Sequence, residues 1–427
     1  MSPKPADSRA VALALLERVL VRRVPLDQAL GENRALAALS ARDRGFARLL
    51  TATVLRRRGQ IDEVLERFLT KPLRPGTVRD ILRLGAAQLL FLDTPPHAAV
   101  ATSVALAANH PAMKGVVNAV LRRVAREGAA IVAQQDAARL DTPEWLWRSW
   151  CASYGETTAR AIAAAHWREA PLDLSAKSDA EVWAAKLDAM LLPTGTLRRA
   201  AGGPVESLPG YAEGAWWVQD AAAALPAKLL GEVRGATVAD LCAAPGGKSA
   251  QLAAQGARVL ALDLSQPRLE RLRANLVRLK LEATCIAADA STWRPTEPLR
   301  FVLLDAPCTA TGAIRRNPDV PHLKSPDDAV RLAAQQDRLL DNAVRCLAPG
   351  GVLVYCVCSL EAVEGPDRIA RLLASDAPLQ RRRIDPTEIG GLTECLTPAG
   401  DLRTLPSHLA ETGGLDGFYA CRLVRKP

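Results

Sequence analysis

Two short stretches late in the chain carry residue types suited to covalent chemistry. One reads Asp305-Ala306-Pro307-Cys308-Thr309-Ala310-Thr311-Gly312, the other Tyr355-Cys356-Val357-Cys358-Ser359. Each closes an apolar run, FVLLDAP and GVLVYCVCS, of the kind that forms a buried strand. Adjacent strands of a parallel sheet lie about 4.8 Å apart, so thiols just beyond their ends can share one cleft. A pyrimidine is a poor nucleophile at carbon 5, but a thiolate adding to carbon 6 makes carbon 5 enamine-like and able to take a methyl from a sulfonium. A carboxylate near ring nitrogen 3, protonated or sharing a proton, takes up the charge created by addition, and Asp305 is placed for that. Loss of the carbon 5 proton and expulsion of the enzyme need a second acid or base, for which Cys308 is the candidate. Cys356 lies deeper in the same strand and reads as core.

A donor pocket is expected upstream. The run ATVADLC turns through Ala243-Ala244-Pro245-Gly246-Gly247-Lys248 into a helix, and small residues with two glycines let backbone approach a ligand beside a helix N-terminus. A P-loop would need Gly at position 242, which is Cys, and the dinucleotide pattern G-x-G-x-x-G is absent. About twenty residues on, Asp263 ends the next apolar run, where a carboxylate accepts both hydroxyls of a ribose. Asp289 ends the third run and Asp305 the fourth. Three carboxylates at the ends of successive parallel strands point toward one crevice.

The elements that hold these residues follow from patterning. From Gly235 onward apolar strands alternate with amphipathic helices such as PRLERLRANLVRLK, which calls for a mainly parallel sheet covered on both faces. Residues 1–140 are helical in period, broken at Gly59, Pro72, Pro75, Pro95-Pro96 and Pro111, giving six or seven helices. Residues 141–230 hold seven of the eight tryptophans and read as a small connecting α+β region, with the tryptophans as buried anchors between domains. The expected division is thus 1–140, 141–230 and 231–427.

At 427 residues the chain exceeds one ordinary core. Residues 1–140 hold 22 Lys and Arg against 12 Asp and Glu, the rest 33 against 34, so the excess positive charge sits in the helical part, which suits a polyanion. The runs Arg56 to Arg58 and Arg122, Arg123, Arg126 are solvated helix faces or RNA contacts. Nine cysteines in no zinc spacing exclude a secreted disulfide framework, and no run is long enough to span a bilayer. A cytoplasmic monomer without metal or membrane contact is expected.

The motifs DLCAAPGGK, LDLS, DAPCTATG, VCS and GLDGFYACRL resemble those of the NOL1/NOP2/Sun family of RNA 5-methylcytosine methyltransferases. RGFARLLTATVLRRRGQID and VVNAVLRR resemble a NusB-like RNA-binding domain, and VQDAAAALPAKLL resembles the family's lead-in helix. The resemblance implies a NusB-like all-α N-terminal domain and a Rossmann-like α/β domain binding S-adenosyl-L-methionine. It implies methylation of 16S ribosomal RNA, free or in a small-subunit assembly intermediate. By motif position, cofactor contacts fall on Cys242 to Lys248, Asp263, Asp289 and Asp305, the nucleophile on Cys358 and enzyme release on Cys308, with Arg315 and Arg316 near RNA phosphates. Val357 departs from the family's usual Thr. Two rivals are a tRNA cytosine-5 methyltransferase of this family and an RNA-binding assembly factor without catalysis. Both cysteines, the glycine loop and the three carboxylates argue against the second.

Overall fold

The computed structural model describes residues 7–427 and divides into two units. The first runs to Trp167 and also takes in Asn317–Ser325, and the second comprises Arg168–Arg316 and Pro326–Pro427.

The first unit is helical. Six helices, Ser8–Leu20, Ala41–Arg56, Arg58–Phe68, Thr77–Phe91, Pro96–Leu106 and Lys114–Val132, supply one core. Leu16, Leu50, Ile61, Val64, Leu82, Val117 and Leu121 in it are fully buried. Local chemistry sets the helix starts: Asp7 and Ser40 accept hydrogen bonds from Arg9 N and Asp43 N, relieving unpaired first-turn amides. Segment 317–325 belongs here because its polar groups are satisfied by this unit. Asp319 accepts from Leu26 N at 2.9 Å, and Arg23 donates to the carbonyls of His322 at 2.6 Å and Leu323 at 2.8 Å.

The expected boundary at residue 140 is corrected. Helices Glu144–Tyr154 and Glu156–Ala165 belong to the helical unit, with Pro143 as N-cap of the first. Arg139 and Arg160 lie over the Trp147 ring at 4.7 and 5.3 Å, and Trp150 packs edge-on against His166 at 5.5 Å. Trp147, Trp150, Trp216 and Trp217 are buried, and Trp217 packs into the same core as Val238, Leu303 and Val354.

The second unit begins with an antiparallel sheet of β1 (Leu172–Ala176), β2 (Met190–Leu191), β3 (Leu197–Arg199) and β4 (Trp216–Val218), in the order β2-β3-β1-β4. Leu174, Leu187, Leu197 and Trp216 form its core.

The main sheet follows: β5 (Thr237–Leu241), β6 (Arg258–Asp263), β7 (Thr284–Ala287), β8 (Leu299–Asp305), β9 (Leu347–Val357), β10 (Leu379–Arg381), β11 (Leu402–Thr404) and β12 (Phe418–Arg425). Its order is β10-β12-β9-β8-β5-β6-β7, with β11 beside β12. Strands β5 to β9 are parallel, and β12 runs antiparallel to β9. Side chains alternate between two cores, as the pleat demands. Val238, Leu303, Val354 and Cys356 pack under helices Gly247–Ala254 and Gln266–Leu279, while Ala239, Leu304, Tyr355 and Val357 pack under Pro326–Cys346. Both faces are covered, so the central strands read as unbroken apolar runs. The short β10 and β11 carry too few residues to show a period and were not legible in the sequence.

Candidate active site

The carboxyl ends of β5, β6, β8 and β9 converge. Register pairs Asp305 with Cys356 across β8 and β9, and the chain then leaves each strand within three residues. The two loops are stitched together: Ala306 N donates to Cys356 O at 2.9 Å and Gly312 N to Cys358 O at 3.0 Å. A third motif closes over them, with Gly417 N donating to Gly312 O at 2.8 Å. A Cβ at Gly312 would lie 1.8 Å from Gly417 O, so only glycine permits this approach.

The result is a thiol pair. Cys308 Sγ and Cys358 Sγ are 3.4 Å apart, both half-buried. The hydrogen bond to Cys358, with burial second, pushes the Cys308 thiol well above its ordinary value. Beside it, Lys248 Nζ donates to Asp305 Oδ2 at 2.7 Å and lies 5.0 Å from the Phe418 ring centroid. Burial opposes the lysine's charge, but Asp305 outweighs it and holds Lys248 above the usual lysine range. Cys356, read from sequence as core, is buried but also donates to Asp305 Oδ1 at 3.5 Å. Sequence reasoning placed Lys248 with the cofactor loop alone. Its pairing with Asp305 comes from the helix beginning at Gly247, which starts beside the β8 end.

The loop after β5 is bare backbone. Cys242 takes φ 65° and its sulfur joins the apolar core under Pro326–Cys346, so the loop rather than the thiol is what this residue offers. Ala243 and Ala244 are buried, and a peptide bond in cis joins Ala244 to Pro245. Gly246, at φ 104°, has Leu272 at its back, 2.8 Å from where a Cβ would stand. Asp263 ends β6, 3% exposed, and accepts from Ala244 N at 3.2 Å and Ser265 N at 2.9 Å, with Arg268 3.3 Å away. Asp289 lies two residues beyond β7, exposed, and accepts from Ser291 N at 2.8 Å; the Ser291 hydroxyl first, and then this amide, hold its carboxyl below the usual range.

One expectation is corrected. Arg315 is 1% exposed and donates to Asp416 at 2.8 Å, to Gly413 O at 2.8 Å and to Asp220, so its guanidinium belongs to the interior and not to an RNA phosphate. Arg316 shares Asp416 at 2.7 Å but keeps a side-chain exposure of 37%. Burial opposes its charge while Asp416, Asp220 and, more weakly, the Cys358 sulfur hold it above the ordinary arginine value. This network explains two motifs the sequence left without roles: Asp220 of the lead-in VQDAAAALPAKLL and Asp416 of GLDGFYACRL are its buried anions. Glu364, also missed, is a buried carboxylate between the two cysteine loops.

A parallel sheet with a small-residue loop over one end, a ribose-type carboxylate on the next strand and a thiol pair on the other side suits the chemistry of an S-adenosylmethionine-dependent methyltransferase. The residues fit that cofactor: the alanine and glycine loop leaves room against backbone, and buried Asp263 retains lone pairs for hydroxyl donors. Residues 227–424 match the family described as 16S rRNA methyltransferase RsmB/F, and residues 6–126 the NusB family. The chain is 36% identical to ribosomal RNA small subunit methyltransferase B of Pseudomonas putida, covering 100% of this chain and 99% of that one. Against the protein of the same name from Citrobacter koseri it is 34% identical over 99% and 100%. The crystal structure of a methyltransferase homologue from Pyrococcus horikoshii shares the fold with a TM-score of 0.55, at 23% identity over 67% of this chain and 96% of that chain. The chain belongs to the RsmB/F family of ribosomal RNA methyltransferases. No helix among the described residues is long and apolar enough to cross a membrane.

Proposed function

We propose that this protein methylates carbon 5 of a cytosine in 16S ribosomal RNA, in the cytoplasm, through a covalent bond from Cys358 to carbon 6. The observation that carries the mechanism is the 3.4 Å apposition of two thiols beside the Lys248–Asp305 pair. S-adenosylmethionine, held by the loop Cys242 to Lys248 with Asp263 and Asp289, supplies an electrophilic methyl group. Either sulfur of the pair can donate to the other; with Cys308 as the donor, Cys358 as the thiolate is the attacking atom. As the sulfur–carbon 6 bond forms and the carbon 5–carbon 6 double bond opens, charge develops toward ring nitrogen 3, where Asp305 and Lys248 deliver a shared proton. Carbon 5 then carries the electron pair that takes the methyl group.

Release follows from the same geometry. The hydrogen bond to Cys358 is the largest cause of the raised Cys308 value, and it is lost once that sulfur is bonded to carbon. Cys308 thereby gives up its own proton more readily and is present as the thiolate that takes the carbon 5 proton. As that proton leaves, the carbon 5–carbon 6 double bond re-forms, the Cys358–carbon 6 bond breaks, and ring nitrogen 3 returns its proton to the Lys248–Asp305 pair.

The test is transfer of labelled methyl from S-adenosylmethionine to small-subunit ribosomal RNA by the wild type, Cys358→Ala and Cys308→Ala. Activity lost in both, with a denaturation-resistant protein–RNA adduct only in Cys308→Ala, is expected. Transfer that survives Cys358→Ala overturns the mechanism, and failure of the wild type on any RNA overturns the enzymatic reading.

A further inference from the structure

A carboxylate outside the reacting set is shared by the residues that follow both cysteines. Glu364 sits in the short turn Ala362–Glu364 after β9 and has no exposed surface. Its Oε1 accepts from Thr309 N at 2.9 Å and Gln336 Nε2 at 3.3 Å. Its Oε2 accepts from Ser359 Oγ at 2.6 Å and from the Thr309 hydroxyl. Thr309 follows Cys308 and Ser359 follows Cys358. Gln336 also donates to Pro307 O at 2.9 Å, on the other side of Cys308, and Tyr355 OH donates to the Glu364 carbonyl at 2.5 Å.

Burying a carboxylate is costly unless its oxygens are well satisfied. Burial pushes the Glu364 carboxyl up, and the bonds from Ser359 and Thr309 oppose this. The chain retains this charge where an apolar side chain would pack at less cost, and the reaction above gives it no step. We infer that Glu364 is a positioning residue that fixes the Cys308 loop against Cys358, so that Cys308 reaches the adduct formed on its neighbour. The inference rests on the release role proposed for Cys308.

The two loops depend on it unequally. Cys358 directly follows a strand paired on both sides, by β8 and β12, and Ser359 O is further held by Arg403 at 2.6 Å. The Cys308 loop is irregular, and Thr309 spends both its amide and its hydroxyl on Glu364. Loss of the carboxylate therefore falls mainly on Cys308, and impairs release more than attack.

The experiment uses the full chain with S-adenosylmethionine and small-subunit ribosomal RNA. Glu364→Gln turns an amide N–H₂ toward groups that are themselves donors. It is expected to lower multiple-turnover methylation by about 100-fold, the scale of an ångström of misplacement. The denaturation-resistant adduct should build up as in Cys308→Ala, with cofactor affinity unchanged. A merely structural role would change melting temperature without trapping adduct. Thr309→Val removes one hydroxyl donor and covers the case in which Glu364→Gln does not fold. It should trap adduct too, and Thr309→Ser, which keeps the hydroxyl, should restore release. Adduct in Cys308→Ala but wild-type release in folded Glu364→Gln, or in Thr309→Val, overturns the positioning role alone. No adduct in Cys308→Ala overturns the release role and this inference with it.

Discussion

Replacing Lys248 with Met tests whether the lysine acts on the base or only shapes the cofactor loop. The side chain is 9% exposed and its ammonium sits 2.7 Å from Asp305 Oδ2. Met keeps the stem and its packing near Phe418 and removes the charge. A charge-assisted hydrogen bond contributes about 1.5–3 kcal/mol. If that energy is realised as charge develops at ring nitrogen 3, the rate of adduct formation should fall roughly 10- to 150-fold, at about 1.4 kcal/mol per decade. The assay is single-turnover transfer of labelled methyl at saturating S-adenosylmethionine, with cofactor affinity measured separately by calorimetry. Lys248→Arg should not restore the rate, because a planar guanidinium does not replace a compact ammonium in this niche. An unchanged single-turnover rate with weakened cofactor binding would refute the reasoning and return Lys248 to the loop alone.

Three further outcomes follow from particular contacts. Asp240 is fully buried beneath the site; burial raises its carboxyl to about 7 from an ordinary 3.8, against the bond from Ser249 at 2.5 Å. A carboxyl raised on folding contributes stability that is complete below the unfolded value and lost as pH rises through the folded one. The wild-type melting temperature should therefore decline between pH 4 and 7 more steeply than that of Asp240→Asn, and parallel curves would contradict this. Gly312→Ala places a methyl 1.8 Å from Gly417 O, so a loss of about 1–3 kcal/mol in denaturant unfolding and loss of methyl transfer are expected. Arg315→Met leaves Asp220 buried without its cation and Asp416 with Arg316 alone, which should cost about 3–5 kcal/mol of stability. The folded fraction of that variant should keep wild-type RNA affinity. A drop in RNA affinity at unchanged stability would restore a phosphate-binding role.

The local text of this chain was informative wherever an element can be recognised by its own period. Apolar runs of strand length alternating with amphipathic helices specify a parallel sheet, because both faces of its strands are buried, and each run named in the sequence is a strand of the structure. The placement of the candidate residues was legible for the same reason: Cys308, Cys358, Asp263 and Asp305 stand where the period stops, and strands in register bring such ends together. The glycine loop was legible because few residues besides glycine tolerate its backbone.

What depends on partners remote in sequence was decided only by the tertiary structure. Arg315 is indistinguishable in sequence from a surface arginine; its two aspartates lie 95 and 101 residues away. Lys248 and Asp305 are 57 residues apart, and Glu364 reaches Thr309 across 55. The boundary after residue 140 failed for a related reason, since helix Glu144–Tyr154 buries Trp147 and Trp150 in contacts with Arg139, Arg160 and His166 that local text does not show. Segment 317–325 has no period of its own, and its membership of the helical unit rests on hydrogen bonds to Arg23 and Leu26 nearly 300 residues earlier. Periodicity encodes which face of an element is buried, while the pairing of charges and the assignment of short segments are set by contacts that exist only once the elements have packed.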